Sequence, residues 1–259
     1  MITSNQNSKI KLIRALLGRA KERREAGAFV AEGVRLVEEA VISNWRFRIA
    51  LYDETLSERG RLQVERLRSQ GVDVEEVSAS VMKSISETEA PQGILAVLEA
   101  TQLPIPQSSN FILIPDQIRD PGNLGTLLRS AAASGVQAVL IPSETTDAFA
   151  PKVLRSGMGA HFRLPIHSMS WEEIRKFIAG LQVFVADMDG QSCWDTDLSK
   201  PIVLIVGNEA EGASESAQKL ANGKISIPMS GETESLNAGV AGSVLMFEVM
   251  RQRAVNRKQ

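Results

Sequence analysis

The chain has 259 residues, of which 43% are hydrophobic and 23% charged, and its formal net charge is −2. This composition is close to the average of soluble globular proteins and excludes fibrous and disordered classes. No apolar run approaches the roughly 18–20 residues that span a bilayer, and basic residues interrupt the first 24 positions, so we expect neither a membrane protein nor a signal peptide. A single cysteine and two histidines argue against a disulfide framework or a zinc site. We therefore expect a cytoplasmic protein without a bound metal.

The charges are distributed unevenly, because residues 1–24 hold a cluster of basic side chains and one acid, Glu22. A helix predicted over residues 8–25, with apolar positions at i, i+3, i+4 and i+7, places these cations on two flanks. Such a cluster binds nucleic-acid phosphates or lies in solvent, and charge alone does not distinguish the two. The candidate phosphate contacts are Lys11, Arg14 and Lys21 on one flank, and Arg19 and Arg23 on the other.

Helical and strand patterns alternate through the rest of the first hundred residues, which predicts a small α/β sandwich. Two prolines, adjacent serines and no charged residue at 101–110 then indicate a linker. The domains are predicted as 1–100, the linker 101–110 and 111–259. The predicted strands are 29–31, 47–52, 72–77 and 93–98, and the predicted helices are 35–42 and 57–69.

Beyond the linker, continuous apolar runs are typical of parallel strands that are buried on both faces. The predicted strands are 111–114, 138–141, 183–186, 202–206 and 225–227. Helices are predicted between them at about 123–134, 150–156, 171–179 and 214–221, with a final helix at about 235–253. This pattern predicts a doubly wound α/β domain, whose ligands bind beyond the carboxyl ends of the strands.

Polar segments follow three of these strand ends. The first holds a turn, a helix cap predicted at Asn123, and Arg129; an Asn and an Arg at a strand-to-helix junction suit an anionic or sugar-phosphate ligand. The second is a glycine-flanked acidic loop with Glu209, and the third ends in Ser235, Leu236 and Asn237 at the start of the last helix. Read singly, each segment is equally well explained by an ordinary turn and a capped helix. Motifs of dinucleotide folds, P-loops and nucleophile elbows do not occur.

Taken together, the segments DQIRDPGNLGTLLRSAAASG, VGNEAEGAS and ISIPMSGETESLNAGVA closely resemble the three motifs of the SpoU (TrmH-type) RNA 2′-O-ribose methyltransferases, which belong to the SPOUT superfamily. The resemblance covers residues 110–253. Residues 7–98, in FVAEGVRLVEEA and TEAPQGILAV, also resemble the substrate-binding domain of many members. The fold implied is a carboxyl-terminal, mostly parallel α/β sheet with a deep trefoil knot.

The resemblance implies that S-adenosylmethionine binds inside the knot against Gly207, Ile227 and Leu236. The catalytic set that it implies is Asn123, Arg129, Glu209, Ser235 and Asn237. Arg129 is expected to anchor an RNA phosphate and stabilise the developing alkoxide, and Glu209 is expected to orient Arg129. Ala238-Gly239 replaces the family's usual Val-Ser, a departure expected to soften the start of the last helix.

The resemblance therefore implies 2′-O-ribose methylation of RNA by a homodimer, with ribosomal RNA favoured by the appended basic domain. Transfer RNA as the substrate, and a non-catalytic RNA-binding protein that keeps the fold, are the alternatives. Methylation of a base is disfavoured by the N-x-G-x-x-x-R and SLN elements.

Overall fold

The structure, a computed structural model, describes residues 1–231 and 235–256. Its strands are β1 (Ala28–Glu32), β2 (Phe47–Tyr52), β3 (Asp73–Glu76), β4 (Ile94–Glu99), β5 (Phe111–Pro115), β6 (Ala138–Ile141), β7 (Ile166–Ser168), β8 (Gln182–Ser192), β9 (Ile202–Val206) and β10 (Gly223–Ser226). Its α-helices are α1 (Ser8–Gly18), α2 (Ala20–Ala26), α3 (Val34–Ile42), α4 (Glu58–Ser69), α5 (Ala79–Ser84), α6 (Pro121–Ser134), α7 (Pro151–Gly157), α8 (Trp171–Phe177), α9 (Glu215–Leu220) and α10 (Ala238–Asn256).

The chain forms two compact units: residues 1–101 with 149–162, and residues 102–148 with 163–259. In the first unit the sheet order is β1-β4-β2-β3, with antiparallel pairing of β4 to β1 and β2, and parallel pairing of β2 and β3. Residues 149–162, which the sequence places in the second domain, belong to this unit because Phe149 and Phe162 pack against Phe29. The small α/β domain predicted for this half is confirmed.

The helix predicted over residues 8–25 is broken at Arg19, whose backbone is extended (φ −132°, ψ 131°). The apolar stripe of α1 is still buried, because Ile10, Ile13 and Leu16 have no exposed surface. The break lets the side chain of Arg23 in α2 donate hydrogen bonds to the carbonyl oxygens at the end of α1. A tertiary contact therefore overrides the continuous helical pattern.

The second unit is built on a six-stranded sheet of order β10-β8-β9-β5-β6-β7, in which every neighbouring pair is parallel. β5 and β9 lie in its middle and are buried along their whole length, as their uninterrupted apolar sequences predict. The doubly wound parallel architecture is confirmed, while the trefoil knot stays a prediction. Within the described ranges, no helix is both long and apolar enough to cross a membrane.

The segment predicted as a linker packs on this second unit. Ile105 contacts the core between the sheet and α8, and the Leu103 carbonyl accepts a hydrogen bond from His167 Nε2 at 2.7 Å. The final helix packs closely on α6, and glycine at position 242 makes this possible. A Cβ atom there would overlap the side chain of Leu127 and lie 3.1 Å from Val206 Cγ2. This close packing brings the start of α10 beside the start of α6, which positions the site described next.

Candidate functional site

Three polar segments meet at the carboxyl edge of the parallel sheet. One follows β5 and leads into α6, one follows β9, and one precedes α10. Sequence reasoning predicted that edge, because ligands of doubly wound sheets bind beyond the carboxyl ends of the strands. Residues 232–234, which belong to the third of these segments, lie outside the described residues.

Three of the predicted catalytic side chains form one hydrogen-bonded cluster. Glu209 Oε1 accepts hydrogen bonds from Asn123 Nδ2, from Asn237 Nδ2 at 3.3 Å and from the backbone N–H of Ala238 at 3.2 Å. Asn237 Nδ2 also donates to Asn123 Oδ1 at 2.9 Å. One carboxylate oxygen thus joins the segments after β5, after β9 and before α10. Glu209 Oε2 has none of these bonds and stays available as an acceptor.

Both asparagines lie at the start of a helix, but Asn123 is not the helix cap that the sequence predicts. Asp120, rather than Asn123, caps α6: its Oδ1 accepts from the Asn123 N–H at 2.8 Å, with Pro121 in the first helical position. Asn237, which directly precedes the first residue of α10, caps that helix, because its Oδ1 accepts from the Val240 N–H at 3.2 Å. Asn237 therefore lies outside the helix, where its low helix propensity costs no stability.

The Ala238-Gly239 departure is accommodated by packing. A Cβ atom at Gly239 would lie 3.2 Å from Thr126 Cβ of α6, closer than an ordinary contact. A small residue here therefore lets α6 and α10 approach each other closely. One turn further along, Ser130 Oγ and Ser243 Oγ are hydrogen-bonded at 2.7 Å.

The loop after β9 folds back on itself. The backbones of Asn208 and Gly212 exchange two hydrogen bonds of 2.9 Å, and Asn208 Oδ1 accepts from the Ala210 N–H at 2.8 Å. A Cβ atom at Gly207 would lie 2.5 Å from the Gly212 carbonyl oxygen, so only glycine allows this closure. Glu209 is thereby held at the tip of a rigid turn.

A cavity of about 340 Å³ lies beside the cluster. Its wall includes all three residues predicted to bind cofactor, Gly207, Ile227 and Leu236, together with Glu209 and Ser235. Much of the remaining wall is apolar, from Ile225, Ala241 and Leu245, and the acids Asp187 and Glu211 also line it. The predicted cofactor-binding residues thus share one cavity, with the hydrogen-bonded cluster at its edge.

Arg129 lies on α6 with an exposed side chain, and no hydrogen bond or ion pair joins it to another of the residues that the structure describes. The hydrogen bonds of Glu209 go to Asn123, Asn237 and Ala238 instead. The expectation that Glu209 orients Arg129 therefore finds no contact in the structure. The guanidinium is left available to an anion.

Sequence reasoning missed one wall of the cavity, residues 186–188. β8 continues to Ser192, but its pairing with β10 jumps from Val185 to Gln191, so residues 186–190 leave the ladder, and residues 186–188 line the cavity. The Lys224 ammonium donates a hydrogen bond to Asp187 and holds the pKa of that carboxyl below its usual range. The polar residues Asp187 and Asp189, which directly follow the apolar run at 183–186, are the signal that marks this wall.

The five cations predicted to contact RNA are all in the first unit, and the structure separates them into three groups. Lys11 and Arg19 are exposed, without an ion pair or side-chain hydrogen bond to the described residues. Arg14 donates to Asn5 Oδ1 and Ser84 Oγ, and Lys21 lies 3.7 Å from Glu25. The Arg23 side chain is buried and its guanidinium donates to the Leu16 carbonyl oxygen at 2.6 Å. Arg23 therefore stabilises the fold rather than presenting an open cation.

The cysteine and histidines contribute no chemistry to this cavity. Cys193 is buried, and burial raises the pKa of its thiol. His161 is buried in the first unit, and His167 bonds a backbone carbonyl in the second. In the part of the chain that the structure describes, no three His, Cys, Asp or Glu side chains are grouped to hold a metal ion.

Two family models match the chain. The SpoU rRNA Methylase family matches residues 110–247, and the MRM3-like substrate binding domain matches residues 7–96. Among similar curated proteins, the 23S rRNA (uridine(2479)-2′-O)-methyltransferase of Streptomyces viridochromogenes is 33% identical, over 98% of this chain and 93% of its own. The 23S rRNA (guanosine(2553)-2′-O)-methyltransferase RlmP of Bacillus subtilis is 32% identical, over 96% of this chain and 98% of its own.

Solved structures share the fold over almost the whole chain. The SpoU methyltransferase AviRb from Streptomyces viridochromogenes, in complex with the cofactor AdoMet, matches with a TM-score of 0.83 at 30% identity, over 96% of this chain and 100% of that one. The AdoMet-bound rRNA methyltransferase from Sinorhizobium meliloti matches with a TM-score of 0.84 at 31% identity, over 96% of this chain and 97% of that one. The similarity therefore includes both units.

Proposed function

The chain belongs to the SpoU rRNA methylase family, and we propose that it transfers a methyl group from S-adenosylmethionine to a ribose 2′-hydroxyl of ribosomal RNA. The observation that carries this proposal is the cluster of Asn123, Glu209 and Asn237 at the edge of the cavity. Similar proteins named for 2′-O-methylation of 23S rRNA support ribosomal RNA over transfer RNA. A non-catalytic RNA-binding protein would not need this cluster beside a cofactor-sized cavity.

The cavity fits the cofactor in its chemistry. The Gly207 backbone has no room for a Cβ atom, so the main chain itself forms the wall and offers its polar groups to a ligand. Ile227 and Leu236 supply apolar surface for an adenosine group, and Asp187 and Glu211 supply negative charge for a cation. S-adenosylmethionine, when bound, supplies an electrophilic methyl group on a positively charged sulfur.

The residues of the cluster then position the ribose. Asn123 and Asn237 fix one oxygen of Glu209, which leaves Oε2 to accept a hydrogen bond from the attacking 2′-hydroxyl. Ser235, on the cavity wall, supplies a further hydroxyl for the substrate or cofactor. Orienting two reactants in this way removes much of the entropic barrier to their reaction.

Arg129 anchors a phosphate next to the target ribose and stabilises negative charge on the attacking oxygen. A guanidinium stays protonated near neutral pH, so it acts as a charged donor and not as a base. Its planar fork can donate two hydrogen bonds to a phosphate, which a lysine ammonium cannot match in geometry. The absence of a described protein partner for Arg129 supports this assignment, because its donors remain open to the RNA.

The first unit is proposed to bind the RNA. It matches a family model described as a substrate binding domain, and Lys11 and Arg19 leave their charges open to phosphates. Because Arg23 is buried and bonded to α1, it is left out of the RNA contacts proposed here.

We further propose that the protein acts as a homodimer in the cytoplasm, where its RNA substrate would be found. α10 exposes an apolar stripe at i, i+4 and i+7 formed by Val240, Val244 and Phe247, which are 48%, 38% and 41% exposed. A two-fold axis beside this stripe would bury it in both copies at once.

The proposed function is tested with Arg129 variants on purified protein, ribosomal RNA and labelled S-adenosylmethionine. Arg129→Ala and Arg129→Lys are each expected to reduce the methylation rate at least about tenfold, roughly 1.4 kcal/mol of barrier, with cofactor affinity unchanged. Arg175→Ala, which removes a guanidinium from α8 outside the cavity wall, serves as the control and keeps full activity. If Arg129→Lys methylates RNA as fast as the wild-type protein, the proposed role of the guanidinium is rejected. If the wild-type protein does not bind S-adenosylmethionine, the proposed catalysis is rejected.

A further inference from the structure

A buried carboxylate directly after β5 takes no part in the function proposed so far. Asp116 is 0% exposed, and its backbone N–H donates to the Val206 carbonyl at 2.8 Å, which extends the pairing of β5 and β9 by one residue. The backbone of Asp116 is therefore fixed at the carboxyl edge of the sheet, and its side chain lies beneath the loop that follows β9.

The Asp116 carboxylate holds the far end of that loop. Its Oδ2 accepts a hydrogen bond of 2.6 Å from the backbone N–H of Ser214, the residue that caps α9. Its Oδ1 is buried without a hydrogen-bond partner among the described residues. Burying a carboxylate is costly unless its hydrogen bonds compensate. A single bond, to Ser214, therefore carries the whole polar contribution of this side chain.

The loop closed in this way brings Glu209 to the cluster. Gly207 begins the loop at the end of β9, and Ser214 ends it. Asn208 Nδ2 ties the near end to the Gln117 carbonyl at 3.2 Å, so the segment after β5 holds both ends. If the bond to Ser214 is lost, the far end is released, and the turn that carries Glu209, still closed by the Asn208–Gly212 bonds, is held to the segment after β5 at its near end only.

We propose that Asp116 is a positioning residue for methyl transfer, which closes the loop at 207–213 through its hydrogen bond to Ser214 and so holds Glu209 and the cofactor cavity in their working geometry. The inference rests on the proposed function, because it assigns Asp116 a role in that same reaction. Asp116 touches neither substrate nor cofactor in this role. It acts through the main chain of the loop.

Asp116→Ala and Asp116→Asn separate this role from mere stability. The alanine variant is expected to weaken S-adenosylmethionine binding and to lower kcat, each by about tenfold, as when a charge-assisted hydrogen bond that orders a loop is removed. The asparagine variant recovers most of both losses, because its carboxamide oxygen still accepts a hydrogen bond from Ser214, although a neutral acceptor bonds more weakly than a carboxylate. Calorimetry gives the affinity, and methyl incorporation into RNA gives kcat.

The matched control is Asp53, a buried carboxylate of the first unit that accepts hydrogen bonds from the Thr55 N–H at 3.0 Å and from its hydroxyl at 2.6 Å. Asp53→Ala is expected to lower the thermal midpoint and leave cofactor affinity unchanged well below that midpoint. If Asp116→Ala does not fold, Ser214→Pro removes the same donor at a residue whose φ of −60° suits proline, and the same kinetic loss is expected.

Three outcomes overturn the inference. The first is that the variants without the Asp116–Ser214 bond bind cofactor and turn over as the wild type does. The second is that Asp116→Asn is as impaired as Asp116→Ala, and the third is that Asp53→Ala loses as much cofactor affinity as Asp116→Ala. Methylation by the wild-type protein is measured alongside, because its absence would reject the proposed function itself. If the wild-type protein binds cofactor but does not methylate RNA, weaker cofactor binding by Asp116→Ala than by the wild type still supports the role of Asp116 in holding the loop.

Discussion

Substituting Gly207 by alanine perturbs the cofactor cavity at its most constrained point. The added Cβ atom would lie 2.5 Å from the Gly212 carbonyl oxygen and would also overlap the backbones of Gly212 and Ala213. Ordinary contacts begin near 3.4 Å, so the loop must open by about 1 Å, and overpacking of this kind costs about 1–3 kcal/mol. If the loop must close again to bind ligand, that cost weakens cofactor binding by roughly 5- to 150-fold.

Isothermal calorimetry with S-adenosylmethionine measures this loss directly. Gly223→Ala is the matched control, because a Cβ atom there would meet Phe184 Cε1 at 3.4 Å, an ordinary contact, on a strand of the same sheet. The control is expected to bind as the wild type does. Affinity of Gly207→Ala within about twofold of wild type would refute the reasoning, because it would mean that the loop opens without cost to the cavity.

Three further changes test other parts of the molecule. Lys11→Ala is expected to reduce the salt dependence of RNA binding by roughly one unit of slope, measured by filter binding, whereas Arg23→Ala lowers the thermal midpoint and leaves the slope unchanged. Because Lys224 holds the pKa of Asp187 below its ordinary value of 3.8, their pair stabilises the fold above that pH and loses this contribution as the pH falls through the lowered pKa. Asp187→Asn should therefore flatten the acid limb of a stability–pH profile, and an unchanged limb would contradict the pairing. Phe247→Asp should convert a dimer of twice the 28.2 kDa chain mass to a monomer in light scattering, and a wild-type monomer would reject the proposed interface.

The strands of the second unit were predictable because burial on both faces leaves an unambiguous signal. The strands predicted at 138–141 and 202–206 match β6 and β9 residue for residue. Short or half-exposed elements were not predictable in this way. β7 was missed because it has only three residues, and the six-residue helix α5 was not predicted either. Their positions depend on tertiary contacts that periodicity does not contain.

The candidate site was predictable only in part. The family resemblance implied that Asn123, Glu209 and Asn237 belong to one catalytic set, and in the structure hydrogen bonds join their side chains. No local pattern could reveal the pairing of Asp116 with Ser214, because the partners are 98 residues apart and a lone Asp after a strand looks like any turn residue. Arg23 shows the opposite error, since a cation on a predicted helix face turned out to be buried. The predicted helix is broken at Arg19 into α1 and α2, and the periodicity of the sequence does not show this break.

The proposed methyl transfer to a ribose is decided by identifying the nucleoside that receives the methyl group. Unmodified ribosomal RNA is incubated with the wild-type protein and methyl-labelled S-adenosylmethionine, digested to nucleosides and analysed by mass spectrometry. We expect label on a 2′-O-methylated nucleoside, and at least about tenfold less of it from Arg129→Ala at the same time point. Label on a base, or no transfer by a protein that binds both cofactor and RNA, would contradict it.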